Sequence, residues 1–332
     1  MRYKHAFTRL SLVLLVLISI QSCGQNKRPD NPQKNSDQMN GAYVSEIENK
    51  IKYEKEGYLY GLYYSHTDCS YEILVNDIPV ITHFGIGERS LSVDINQYIL
   101  RPGKQEITIR LFPRKIDENH FAASLSKDSR VKIIIKKDWR TTDSRASDAY
   151  ISGDKTNWEI LQYETPEIEK ETPAAEFKTS VTLTDKDINW SLTGWLESQD
   201  LQGDPNIRKE VDAFYAAYKG ILEAGDQTRY LSLLKNSIYE EAASIPWDHD
   251  AAKNITKNMS EYVAEKRNFI YPCKSSQLQF YGAGRVVTLV CTDTLTFGYS
   301  PLISKTAKNL LPKAHTFYLH KPKGSNQLQI IR

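Results

Sequence analysis

Asp248, His249 and Asp250 stand side by side and offer two carboxylates and an imidazole, groups that bind metals or exchange protons near neutral pH. They also follow Pro246 and precede a helix-periodic run, where carboxylates cap free amides and oppose the helix dipole. The structural role is the simpler one. His66-Thr67-Asp68-Cys69 carries three ligand types, but neighbours on a strand point to opposite faces. His315 and His320 are separated by an odd step on one predicted strand, so they face apart and no shared metal is expected. Asp226 follows Gly225 between two helical patterns and predicts an N-cap. With Asp248 and His249 it is also the acid/base candidate if the C-terminal half encloses a pocket. No H-E-x-x-H, G-x-S-x-G, C-x-x-C or Walker spacing occurs, and Gly282 and Gly284 flank a turn. The expectation is a binding protein with no catalytic centre, metal or cofactor.

Other residue types point to contact rather than catalysis. From Thr294 to Arg332 there are six basic residues, Lys305, Lys308, Lys313, Lys321, Lys323 and Arg332, and no acidic one. Such a patch can dock an anionic partner, or it can be a solvated face balanced by acidic residues elsewhere. Trp190 and Trp195 are the candidate contact aromatics for a glycan or peptide, against the alternative that they fill a core. Formal net charge is only +2, which gives no case for nucleic acid. Cys273 and Cys291 flank a predicted hairpin closed by Gly282-Ala283-Gly284, close enough for a disulfide and equally compatible with two free thiols. Cys69 is then unpaired and reads as a small buried hydrophobe.

The start of the chain decides what surrounds these residues. Arg2, Lys4 and Arg9 precede an apolar run from Leu10 to Ile20, too short to span a bilayer and of the length of a signal-peptide core. Ile20-Gln21-Ser22-Cys23 then resembles the lipobox of bacterial lipoproteins. The resemblance implies removal of residues 1–22, lipidation of Cys23 and a membrane anchor through covalent lipid, which holds stably once two chains are attached. Gly24 rather than aspartate after the cysteine implies the outer membrane, on either face. Residues 23–41 then hold the lipidated cysteine and a polar tether with little to bury.

From residue 42 to 163 the apolar pattern has period two: Tyr58, Tyr60, Leu62 and Tyr64; Tyr71, Ile73 and Val75; Ile107, Ile109 and Leu111; Val131, Ile133 and Ile135. Alternation punctuated by turn residues predicts an antiparallel β-sandwich. The stretch from Val75-Asn76-Asp77 through Asp94-Ile95-Asn96 to Pro102-Gly103-Lys104 is similar to the accessory jelly-roll modules of glycosidases, which implies a supporting or sugar-binding module. Residues 164–176 hold five glutamates, one lysine and two prolines and read as an interdomain linker. Phe177 to Leu183 alternates again as a strand opening the second half.

Residues 177–332 change period. Ile207, Val211, Phe214, Tyr218 and Ile221 mark one helix face; a second helix carries Tyr230, Leu231, Leu234, Ile238 and Ala242, and a third Ala252, Ile255, Met259 and Tyr262 or Val263. Strands are predicted at Gln277–Tyr281, Arg285–Thr292, Ala314–His320 and Gln327–Ile331. The order predicts an α+β domain with helices packed on a curved antiparallel sheet. With Tyr215-Ala216-Ala217-Tyr218 leading to Gly225-Asp226 and Tyr230-Leu231, it resembles the cone-shaped NTF2-like superfamily, whose members include enzymes, ligand binders and interaction modules. The whole predicts a two-domain, β plus α+β, lipid-anchored envelope protein. Its partner would be a protein, in one version a toxin that it neutralises, or an envelope polysaccharide. An enzyme or small-ligand binder using the cone pocket and a structural spacer are the alternatives.

Overall fold

The computed structural model describes residues 32–142, 158–307 and 311–332, with side chains from Asn40 onward. The signal-peptide pattern, Cys23 and Lys308 lie outside them. The structure is mixed and mostly β, with antiparallel sheets and, among the described residues, four helices, arranged in two parts.

The N-terminal part opens with α1 (Pro32–Glu48) and continues with β1 (Glu56–Thr67), β2 (Cys69–Val75), β3 (Ile78–His83), β4 (Ser90–Asp94) and β5 (Gly103–Pro113). A small hairpin, β6 (Lys115–Asp117) and β7 (His120–Phe121), precedes β8 (Arg130–Thr141), β9 (Trp158–Glu164) and β10 (Ala175–Leu183). Strands order as β4-β1-β8-β9 in one sheet and β10-β5-β2-β3 in the other. Tyr60, Leu62, Tyr64, Val131, Ile133 and Ile135 of the first sheet join Ile73, Val75, Ile107, Ile109 and Leu111 of the second in a single buried cluster. Each such fully buried side chain contributes about 1.5–3 kcal/mol, so the period-two register is strongly enforced.

Two boundaries differ from the sequence reading. Alternation marks a half-buried strand without naming its partner, and β10 pairs with β5 of the N-terminal part, from Ala175 opposite Leu111 to Leu183 opposite Gly103. Residues 164–176 therefore connect two sheets of the same part. Residues 32–41 belong to α1, although their composition reads as tether. The helix is held from its other end, where Tyr43, Val44 and Ile47 pack among Leu231, Ile238 and Ala252 and the Tyr43 hydroxyl donates to Leu231 O at 2.7 Å.

The C-terminal part has α2 (Ile207–Ala224), α3 (Gln227–Ala243) and α4 (Ala251–Ala264), then β11 (Arg267–Ile270), β12 (Ser276–Tyr281), β13 (Val286–Cys291), β14 (Ile303–Thr306), β15 (Lys313–Ala314), β16 (Leu319–His320) and β17 (Gln329–Ile330). Gly225 ends α2 at φ +65°, a conformation that costs glycine little. Strands order as β12-β13-β16-β17 and β11-β14-β15. The run Ala314–His320, expected as one strand, is split between the two sheets and buries His315 and Phe317 as it crosses.

The two parts share their core. Trp190, Trp195, Trp247, Tyr281, Val286 and Tyr318 belong to the same apolar cluster as the N-terminal sheets. At the seam, buried Asn96 accepts from Tyr60 N at 2.7 Å and donates to Tyr58 O at 3.0 Å and to Ser244 O at 2.9 Å, the last on the far side of the seam. A buried donor or acceptor left without a partner costs about 1–3 kcal/mol. Replacing Asn96 by alanine is therefore expected to cost about 3 kcal/mol, read as a fall in the urea midpoint; an unchanged midpoint would remove this residue from the account of the seam.

Candidate functional site

The acid/base candidates are helix-entry residues. Asp226 Oδ1 accepts from Arg229 N at 3.0 Å and N-caps α3. Asp248 Oδ1 accepts from Asp250 N at 3.0 Å, and Asp250 occupies the N-cap position of α4 without a side-chain cap bond. His249 stacks on Tyr53 with ring centroids 4.4 Å apart. Asp248 also lines a cleft of about 350 Å³ with Asp94, Arg140 and Glu241. There burial raises the Glu241 carboxyl above its usual range, with the Asp94 charge adding to the effect.

The proposed contact aromatics are core residues. Trp190 is buried and donates its indole N–H to Ile99 O at 2.8 Å. Trp195 is buried beneath Gly282 and the Arg332 guanidinium. Nor do the basic residues form one patch among the described residues. Lys321 is buried between Asp204 (3.1 Å) and Glu210 (2.7 Å), and Arg332 pairs with Glu240 at 2.6 Å. Their acidic partners lie far away in sequence, out of reach of a local charge count. Lys305 is half-buried on β14, Lys323 is exposed, and Lys313 lines a cleft.

The four C-terminal ligand candidates are equally absorbed. His315 Nδ1 and Nε2 lie 2.8 Å from Tyr262 Oη and 2.7 Å from Ser304 Oγ, while His320 Nδ1 lies 2.7 Å from Ser198 Oγ in the other sheet. Burial lowers both imidazoles to about 4. Cys273 and Cys291 are joined in a disulfide. With Asp293 they make a three-ligand group, but the bridged sulfurs offer no thiolate. Cys69 is buried, and its thiol is pushed up to about 12 by burial, which leaves it inert as a nucleophile.

The arrangement with binding chemistry is the cleft that Lys313 reaches. It has a volume of about 470 Å³ and lies on the seam, walled by the β3–β4 connection and β6 on one side and by residues around Tyr271, Thr296 and β14–β15 on the other. Ile86, Tyr271 and Leu295 are 57, 44 and 40% exposed at its rim, and Arg89, Lys115 and Lys313 line it with Glu118 as the acid among them. Long-range pins hold the walls. The Lys115 amine donates to Thr294 O at 3.0 Å and Leu295 O at 2.9 Å, and burial lowers its pKa. Phe84 packs edge-on to Phe297 at 5.3 Å and lies against Gly298, which sits at φ +76° where a Cβ would overlap the Phe84 ring. Tyr271 holds φ +52°, a strained conformation for a bulky residue, two residues before the disulfide.

Behind this wall His66 and His83 are both buried, with ring centroids 4.9 Å apart and Tyr71 beside each. His66 Nε2 accepts from Arg89 N at 2.9 Å, which places its proton on Nδ1. His83 Nε2 donates to Gly87 O at 3.0 Å. Burial lowers both pKa values, His83 to about 4. Sequence reasoning missed this site because its residues come from five separated segments and none forms a motif. Lys313, read as part of a basic run, and His66, read as a strand residue, were its signals in the sequence, and neither pointed to the other residues. No family model, curated protein or solved structure matches the chain.

Two outcomes test this geometry. Gly298→Ala meets both the positive φ and the Phe84 ring, and is expected to cost about 3 kcal/mol of stability by urea denaturation. For His83 the folded pKa lies below the unfolded one, so the native state binds fewer protons as pH falls from about 6.5 to about 4. Stability supplied by the neutral ring is thus complete above that window and is lost through it. The urea-midpoint advantage of wild type over His83→Gln should shrink across this interval, and a constant difference would contradict the neutral buried ring.

Proposed function

We propose that this chain is a lipid-anchored cell-envelope binding protein, without catalytic activity, that holds a protein partner at the seam cleft. The anchor rests on the Met1–Cys23 pattern and the outer-membrane location on Gly24. On this reading the two facing N-terminal sheets are a β-sandwich, and the C-terminal helices and sheets are an NTF2-like cone used for binding.

One observation carries the binding reading. Three large apolar side chains stay exposed around one opening, and contiguous exposed apolar surface marks interaction sites more often than isolated residues do. Three cations beside them add orientation and steering. A protein fits this surface better than a polysaccharide does, because Trp190 and Trp195, the aromatics proposed for stacking on sugars, are buried. Toxin neutralisation is one version of such binding.

Two measurements test the proposal. Cys23→Ala should move the protein from the membrane fraction to the soluble fraction and abolish lipid labelling; retention in the membrane would refute the anchor. Detergent-extracted full-length protein, used as bait in native envelope extract, should retain a stoichiometric protein that Ile86→Asp with Leu295→Asp releases. A partner that survives both changes would place the binding surface elsewhere.

A further inference from the structure

Resting on that binding reading, we infer that the seam cleft takes a segment of a partner protein in which apolar side chains sit beside aspartates or glutamates. The volume, about 470 Å³, accommodates a few side chains. The exposed Ile86, Tyr271 and Leu295 supply apolar area whose burial stabilises a complex by about 25 cal/mol per Å². Charge then selects among apolar segments. Arg89, Lys115 and Lys313 outnumber Glu118, and among the described residues none of these cations is in a salt bridge. Lys115 spends two donors on Thr294 O and Leu295 O, and an ammonium has three, so one remains for an acceptor. Lys313 lies over the Tyr262 ring at 4.4 Å, which restricts it without neutralising it. Loop walls pinned in advance lower the ordering cost of binding.

The test is selection of random peptides of about twelve residues by the full-length protein in detergent. Enriched peptides should place Leu, Ile, Phe or Trp within a few positions of Asp or Glu. Lys313→Glu with Arg89→Glu, both exposed and expected to fold, should lose these peptides and enrich Lys- or Arg-bearing ones. Cleft-dependent peptides without acidic bias would overturn the assigned partner chemistry while sparing the binding reading. Peptides insensitive to Ile86→Asp and to the charge reversal would overturn the cleft as the docking site. No enrichment at all would overturn a linear segment as the occupant, and the capture experiment above would still judge the wider reading.

A different observation carries a second inference, about control of the same site. We propose that His66, with His83 packed against it, forms a proton-operated latch on residues 84–89, the segment that walls the cleft. Both rings are tied to the backbone of this one segment, His66 to Arg89 N and His83 to Gly87 O, and Phe84, Gly85, Ile86 and Arg89 of the same segment line the cleft. The groups facing the rings are Tyr71 and Cys69 from β2, each ring for the other, and Arg89 from the segment itself, with Glu88 beside it and Tyr299 beyond Gly85. The Tyr71 and Cys69 protons are held firmly by burial, so neither supplies a negative charge. Protonating His66 turns its acceptor Nε2 into a donor aimed at the Arg89 N–H and sets a cation against His83 and Arg89. The segment must then leave.

The Arg89 amide reports the latch directly by hydrogen exchange. Corrected for intrinsic rate, its protection should fall by about tenfold or more between about pH 7 and about pH 4 in wild type. In His66→Gln, whose amide oxygen accepts without titrating, it should stay flat. His83→Gln gives a second reading and should weaken the dependence. Equal protection at both pH values, or the same loss in both variants, would overturn the latch whatever the cleft binds.

Discussion

The structure turns on a buried ion pair at the seam. The side chains of Glu240, on α3, and Arg332 are 7 and 1% exposed and meet at 2.6 Å. Charges this deep are tolerated when their remaining donors and acceptors find partners; here all do but the Arg332 Nε, and the partners span the molecule. Glu240 Oε1 accepts from Gly194 N at 2.7 Å. Arg332 donates to Ile331 O and to Gln97 O of the N-terminal part, and its guanidinium lies over Tyr98 and Trp195. Helix α3, the 190–198 segment, the β17 end and the turn after β4 thus converge on one site. Loss of either partner strands the other charge, which typically costs about 3–5 kcal/mol.

This constraint explains why the two parts behave as neighbours in one core. A site assembled from both parts keeps its shape only if the seam is rigid. Secondary pins act at the same boundary: the Glu72 carboxylate accepts from the Tyr281 hydroxyl at 3.1 Å, Asp77 accepts from Ala283 N at 3.0 Å, and Lys115 ties β6 to the 294–295 backbone. The Cys273–Cys291 disulfide, with a sequence separation of 18, restrains the unfolded chain by about 3 kcal/mol and fixes the approach to Tyr271.

Much of this was legible in the residues, and the limits have physical causes. Period-two runs such as Tyr60-Leu62-Tyr64 placed the strands because one face of each is buried, and Gly225-Asp226 located the α2–α3 corner because its conformations are local. Partners are not local. Whether Phe177–Leu183 pairs forwards or backwards, whether Lys321 faces solvent or Asp204, and whether Trp190 and Trp195 reach a ligand or a core all depend on residues far away in sequence. The same holds for α1, where a polar first half masks the apolar stripe at Tyr43, Val44 and Ile47. The cleft was hidden most completely, since Ile86, Lys115, Tyr271, Leu295 and Lys313 form no pattern until the chain is folded.

The seam's role is tested most directly by urea unfolding followed with two probes, tryptophan fluorescence for the seam and the N-terminal strands that carry Trp139 and Trp158, and far-ultraviolet circular dichroism for the helices, three of the four described ones being in the C-terminal part. A rigid seam held by Glu240 and Arg332 predicts coincident transitions in wild type, both shifted to lower urea by the same amount in Glu240→Ala. Separate transitions in wild type, or a Glu240→Ala change that moves one probe and spares the other, would show that the two parts fold independently and that the ion pair does not unite them.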